Sequence, residues 1–158
     1  YSELVSNYGK IMEFNIFYKL IFEKSIPIDF NGNKYIDISI SNSVLEHIPR
    51  KEISDSLSKV FNVMRDDATF MHVVDHSPHS AFDTSLMSFY RYGKNKKHEG
   101  VNLLRKNEMK DILIGSGFVN FIDYVYRKET VDVKKIHNSW THFNIEDLEA
   151  KTVFYVST

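Results

Sequence analysis

Residues Tyr35 to Asp75 set out a strand, a one-sided helix and a second strand, and this order constrains the fold more than any other feature of the chain. In Tyr35-Ile36-Asp37-Ile38-Ser39-Ile40-Ser41 apolar and polar side chains alternate and β-branched residues dominate, the pattern of a strand. From Lys51 to Met64 the apolar residues are Ile53, Leu57, Val60, Phe61 and Met64, which share one helical face. Asp66-Asp67 then reads as a turn and Thr69 to Asp75 as a second strand. A strand that returns through a crossover helix enters the sheet parallel to the first.

The rest of the chain extends this pattern. Leu4, Val5, Tyr8, Ile11, Met12, Ile16, Leu20 and Ile21 recur at helical spacing and predict a helix over 2–24. Its rings, Phe14, Phe17, Tyr18 and Phe22, spread around the whole circumference, which argues against a helix lying on a membrane. Pro27 to Asn33, with Asn31-Gly32-Asn33, reads as a reversal. Asn107 is expected to cap a helix through Met109, Ile112 and Leu113 that stops at Gly115 and Gly117. Phe118 to Tyr126 reads as a third strand. Asn144, with Asp147 three residues on, starts a short helix, and Thr152 to Ser157 is a last strand. The sum is an α/β chain: a Rossmann-like, doubly wound, mostly parallel sheet with an antiparallel hairpin at one edge.

Charge and composition exclude several functions. A net charge of -1 gives no global field toward nucleic acid or an anionic membrane. No apolar stretch approaches the length of a membrane span. There are no cysteines, which removes disulfides, thiolate nucleophiles and cysteine zinc sites and fits a reducing, cytoplasmic setting.

Ligands of open α/β sheets bind at the carboxyl ends of strands. Two such ends are polar here: Ser41-Asn42-Ser43 with Glu46-His47, and Asp75-His76. Residues 76–106 carry no strong period, and Gly93 to Gly100 is loop-like and basic. This excursion, with Phe82, Phe89, Tyr90 and Tyr92, reads as a lid or acceptor-binding insertion, or else as rings covering a sheet face. Arg91, Lys94, Lys96 and Lys97 read as a solvated face. His72, Asp75, His76 and His79 would offer nitrogen and oxygen ligands to zinc or iron. Their spacing matches no metal motif, and His72 and Asp75 point to opposite faces of a strand, so no metal is assigned to them. They read instead as a polar rim over an acceptor pocket. Simpler roles stand beside these: Glu46 as a charge at the start of the following helix, His47 as a boundary histidine, and Asp75 as the anchor of its own loop.

The run Tyr35-Ile-Asp-Ile-Ser-Ile-Ser-Asn-Ser-Val-Leu-Glu-His-Ile-Pro49 resembles the fourth-strand motif of class I S-adenosylmethionine-dependent methyltransferases of the type 11 kind. The resemblance continues through the helix at Lys51 to Met64, Val74-Asp75-His76, Phe89-Tyr90-Arg91-Tyr92, Asn102-Leu103-Leu104-Arg105 and Gly115-Ser116-Gly117-Phe118. Arg65-Asp66-Asp67 stands where the family usually has a turn with proline and glycine. The resemblance implies that residues 1–158 are the C-terminal part of a single methyltransferase domain and hold the last four of seven strands. The first three, with the Gly-x-Gly loop and the acidic residue that holds the ribose, would precede Tyr1. No Gly-x-Gly-x-Gly run occurs in the chain.

The implied cofactor is S-adenosylmethionine, bordered at its methionine end by Asn42, Ser43 and Leu45. The implied partner is a small-molecule acceptor, met by Glu46, Asp75, His76 and Tyr90. Methyl transfer is an in-line displacement that rests on positioning, with a base needed only if the acceptor loses a proton. His47, whose free pKa lies near neutrality, is the implied base. Two other readings stay open: a non-catalytic binding module stabilised by a partner or by dimerisation, and a metal-dependent hydrolase built on the histidines.

Overall fold

The computed structural model describes residues 34–79, 84–94 and 100–157. The helix expected over 2–24 and the reversal at 27–33 lie outside the described residues, as do Phe82, Lys96 and Lys97. In chain order come β1 (Ile36–Asn42), a 3-10 turn (Leu45–His47), α1 (Ile53–Val63), β2 (Met64–Asp75), α2 (Leu86–Tyr90) and α3 (Lys106–Gly115). Then follow β3 (Ile122–Lys128), 3-10 turns at Val133–Lys135 and Asn138–Trp140, α4 (Ile145–Glu149) and β4 (Ala150–Ser157).

The four strands form one sheet in the order β1-β2-β4-β3. β1 and β2 are parallel, and β4 is antiparallel to both β2 and β3. Three strands therefore point one way, and β4 runs against them between β2 and β3. The antiparallel hairpin at the edge is present. Its second strand lies inward, beside β2, and pushes β3 to the rim of the sheet.

Three local expectations need correction. Asp66-Asp67 does not turn the chain, because β2 begins at Met64 directly after α1. Ile36 pairs with Met64 and Ile38 with Thr69, so four residues of β2, Arg65 to Ala68, stand opposite the single Asp37 of β1 and the surplus bulges out. The charges in that bulge stay in solvent and pair across it, Asp66 with Lys34 and Arg65 with Asp37. Asn107 is not the cap of α3, since the helix starts one residue earlier. Carboxylates supply the cap: Glu108 Oε2 accepts the Arg105 N–H at 3.0 Å and Asp147 Oδ1 accepts the Asn107 N–H at 2.8 Å. Phe118 is not in a strand. Its ring packs against Phe61 and Phe70 with centroids 5.2 and 4.2 Å apart, and the ladder begins only at Ile122. The cap of α4 is as expected, with Asn144 Oδ1 accepting the Asp147 N–H at 2.7 Å.

The main core forms where α1 and α3 lay Ile53, Leu57, Met109 and Leu113 over Phe70, Val74, Val153 and Tyr155 of the sheet. Truncating one such side chain to alanine costs about 2–5 kcal/mol. α3 closes through Gly117, whose φ of +110° and whose position against Phe61 exclude a side chain. A second cluster, Leu86, Phe89, Tyr90, Val131, Trp140 and Leu148, ties the excursion after β2 to the segment between β3 and β4. Phe89 and Tyr90 therefore build a core. On the other face of the sheet Ile38, Ile40 and Tyr124 are 59%, 71% and 61% exposed.

Candidate functional site

Because β1 and β2 are parallel, their carboxyl ends lie side by side, and the Ser43 N–H donates to the Val73 carbonyl at 2.9 Å. At Ser43 the backbone enters the left-handed region, φ +54°, which ends the strand and leads into the 3-10 turn. Leu45 anchors that turn by burying its side chain in the main core. Asn102 clamps it from the far side. Its amide Nδ2 donates to the carbonyls of Leu45 at 2.8 Å and Ile48 at 3.0 Å, and its N–H donates to the Glu46 carbonyl at 2.8 Å. Its Oδ1 accepts the Leu104 N–H at 3.1 Å, so the whole amide is in use. The sequence offered one hint of this, an asparagine set among apolar residues just ahead of a helix.

Turned inward by this clamp, Glu46 is only 2% exposed. Its Oε1 accepts the Asp75 N–H at 3.3 Å, while Oε2 is buried without a hydrogen-bond partner. Burial raises the pKa of its carboxyl group, outweighing the backbone donors and the nearby His47 and His79 that pull it down. His79 Nε2 lies 3.8 Å from Glu46 Oε1 and 3.9 Å from Asp75 Oδ2. The His47 Nδ1–H donates to the Gly100 carbonyl, which leaves its Nε2 lone pair open. The His47 and His79 rings meet edge to face, centroids 4.7 Å apart. Asp75 Oδ1 holds the Ser77 N–H at 2.9 Å and hydroxyl at 2.6 Å, fixing the loop that carries His79. Next to this group lies a cleft of about 460 Å³ lined by Asp75, Ser77, His79, Thr84, Arg127 and Lys151, among others.

Of the residues expected at the site, Asn42 and Ser43 stand exposed on the rim with their side chains 3.5 Å apart. Glu46, His47 and Asp75 meet there. The Leu45 side chain belongs to the core, and its carbonyl is taken by Asn102. His76 turns into the interior and away from the rim. It is fully enclosed, with Nδ1–H donating to the Leu104 carbonyl at 2.8 Å and Nε2 taking the Tyr155 hydroxyl at 3.0 Å. Burial, reinforced by the Arg105 charge, pushes its pKa down to about 3 and keeps it neutral. Tyr90 is equally closed off, its hydroxyl donating to the Leu148 carbonyl at 2.7 Å and accepting from Arg105 Nη1 at 2.6 Å.

The set His72, Asp75, His76 and His79 does not assemble. His72 sits between Ser39 Oγ at 3.0 Å and Ser41 Oγ at 2.5 Å, and His76 turns into the core. Among the described residues, the ligand-type side chains that do converge are Glu46, His47 and His79, one donor atom of each lying within 4.8 Å of the other two. His47 and His79 are 32 positions apart in sequence, too far for spacing to suggest the pair.

No protein-family model matches the sequence, and no curated protein matches it either. Solved structures do match. A SAM-dependent methyltransferase from Archaeoglobus fulgidus aligns over 80% of this chain and 60% of its own, at 12% identity and a TM-score of 0.50. Phosphoethanolamine N-methyltransferase 2 of Haemonchus contortus, in complex with S-adenosyl-L-methionine, aligns over 77% of this chain and 33% of its own, at 12% identity and a TM-score of 0.47. The chain thus spans less than two thirds of the first structure and about a third of the second. The likeness to the archaeal protein is one of fold, an α/β architecture shared over 80% of this chain.

Proposed function

We propose that this chain is the later part of an S-adenosylmethionine-dependent methyltransferase domain and supplies the side that meets a small-molecule acceptor. The observation that carries this reading is the rim where the parallel ends of β1 and β2 bring Asn42, Ser43, His47 and Asp75 together, on a sheet of the class I methyltransferase fold. The described residues fit one border of such a cofactor. Asn42 and Ser43 present exposed polar side chains beyond a strand end, where a ligand of an open α/β sheet lies. The glycine loop and a ribose-binding acid would come from outside these residues.

When bound, the cofactor supplies an electrophilic methyl group. This chain's own residues then have two tasks, to orient the acceptor and to receive a proton if the acceptor gives one up. His47 is held for the second task. Its Nδ1–H is fixed on the Gly100 carbonyl, so Nε2 presents the lone pair. Asp75, His79 and the cationic Arg127 and Lys151 line the cleft in which the acceptor would be oriented.

Calorimetric titration of the natural protein with S-adenosylhomocysteine tests the reading. Saturable one-site binding, weakened by the double substitution Asn42→Ala and Ser43→Ala, is expected. Absence of binding would sink it in favour of a second reading, a methyltransferase-like module that binds a partner or a second copy. That alternative draws on the exposed apolar side chains Ile38, Ile40 and Tyr124 on one face of the sheet.

A further inference from the structure

We propose that Glu46, His47 and His79 form a binding site for one divalent first-row metal ion, with Asp75 as a further oxygen donor. The inference goes beyond the methyl-transfer reading and stands whether or not that reading holds.

Two independent observations support it. The first is convergence: Glu46 and His47 on the turn after β1 and His79 on the loop after β2 bring one donor atom each to within 4.8 Å of the others. Ligands about 2.1 Å from a tetrahedral metal ion sit about 3.4 Å apart. The 3.8 Å from His79 Nε2 to Glu46 Oε1 and the 3.9 Å to Asp75 Oδ2 need only a small contraction to reach that spacing.

The second is the orphaned oxygen. Glu46 Oε2 is buried and meets no donor, while Oε1 has only the Asp75 N–H at 3.3 Å. A buried carboxylate oxygen without a partner is costly, and a cation is the group that satisfies it best.

The surroundings suit this use. The His47 Nδ1–H donates to the Gly100 carbonyl, the arrangement in which a ligating histidine fixes its tautomer and turns Nε2 toward a metal. Asp75 is oriented in the same way by the Ser77 N–H and hydroxyl on its Oδ1. Two imidazoles with carboxylate oxygen and no thiolate select zinc, manganese or iron(II) over soft ions, and the chain has no cysteine to compete. The His79 side chain is 27% exposed, which gives an ion a path from solvent, and the adjoining cleft leaves room for a water or an acceptor oxygen as a further ligand. With the ion in place, the His47 Nε2 lone pair is committed to it, and the ion would hold an acceptor hydroxyl and ease its ionisation in place of the free base.

The test is equilibrium dialysis of the natural protein against zinc(II), with bound metal counted by elemental analysis and no S-adenosyl compound present. One ion per chain is expected. His79→Ala and His47→Ala should each lower the affinity at least tenfold, while His142→Ala on the exposed surface leaves it unchanged. A second readout needs no substitution: zinc should protect His47 and His79 of the unaltered protein from carbethoxylation, mapped by mass spectrometry. No zinc uptake, uptake indifferent to His47 and His79, or unprotected rings would overturn the proposal. Failure of S-adenosylhomocysteine to bind would count against methyl transfer alone.

Discussion

The Asp75 N–H donates to Glu46 Oε1 at 3.3 Å, a bond that joins the end of β2 to the turn after β1. The same oxygen lies 3.8 Å from His79 Nε2, while Oε2 is buried without a hydrogen-bond partner. The rim is therefore assembled by contacts between two strand ends, with a third segment, at Asn102, holding them in place.

Asn102→Ala removes three side-chain bonds and leaves the buried carbonyls of Leu45 and Ile48 without that donor. A loss of about 1–3 kcal/mol is expected, read as a shift of the urea midpoint. Asn102→Asp cannot donate to those carbonyls and should lose at least as much. An unshifted midpoint in both would show that the clamp carries no stability.

Tyr90→Phe deletes a hydroxyl that donates to Leu148 and accepts from the buried Arg105. Because the ring lies in a core cluster away from solvent, stability should fall by about 1–3 kcal/mol while S-adenosylhomocysteine affinity stays the same. A change in affinity without a change in thermal midpoint would return Tyr90 to the binding surface.

The histidines buried in the sheet predict acid sensitivity. Burial lowers the His72 pKa to about 4 and that of His76 to about 3, from 6.5 for the free side chain. Between 6.5 and those values the unfolded chain binds protons that the folded chain refuses. The stability they contribute is complete above pH 6.5 and declines as pH falls toward 4, by at most about 1.4 kcal/mol per pH unit for each histidine. Glu46 acts in the opposite sense, since its raised pKa lets stability fall as pH rises. Comparison with His72→Gln isolates one histidine: the slope of stability between pH 4 and 6.5, from chemical denaturation, should flatten in the variant. Equal slopes would mean that His72 is not kept neutral by the fold.

At Gly117 an added Cβ would lie 2.5 Å from the Phe61 ring, at a φ of +110°. Gly117→Ala is expected to cost more than about 1 kcal/mol. Phe61→Leu in the same chain should recover part of the loss, because it removes the clash and leaves the backbone strain. Calorimetric midpoints of the single and double variants check this, and full additivity would dissolve the contact.

Sequence alone determined the elements whose cause is local. The alternation in Ile36 to Ser41, the one-sided apolar set from Ile53 to Phe61 and the Asn144 cap each depend on neighbours a few residues away, and each is found where the periodicity put it. The same locality gave the parallel pairing of β1 with β2, since a crossover helix admits little else.

Tertiary structure alone decided where β4 entered the sheet, whether Asp66-Asp67 turned or bulged, and which histidines met. Strand insertion depends on pairing partners about 80 residues apart, such as His72 with Tyr155, and no period reports them. His72, His76 and His79 look alike in sequence, yet one lies between two serines, one is sealed beside Tyr155, and one faces Glu46 and His47. Their fates differ because the strand pleat and the loop held by Asp75 send neighbouring side chains in different directions, and burial then fixes what each can do.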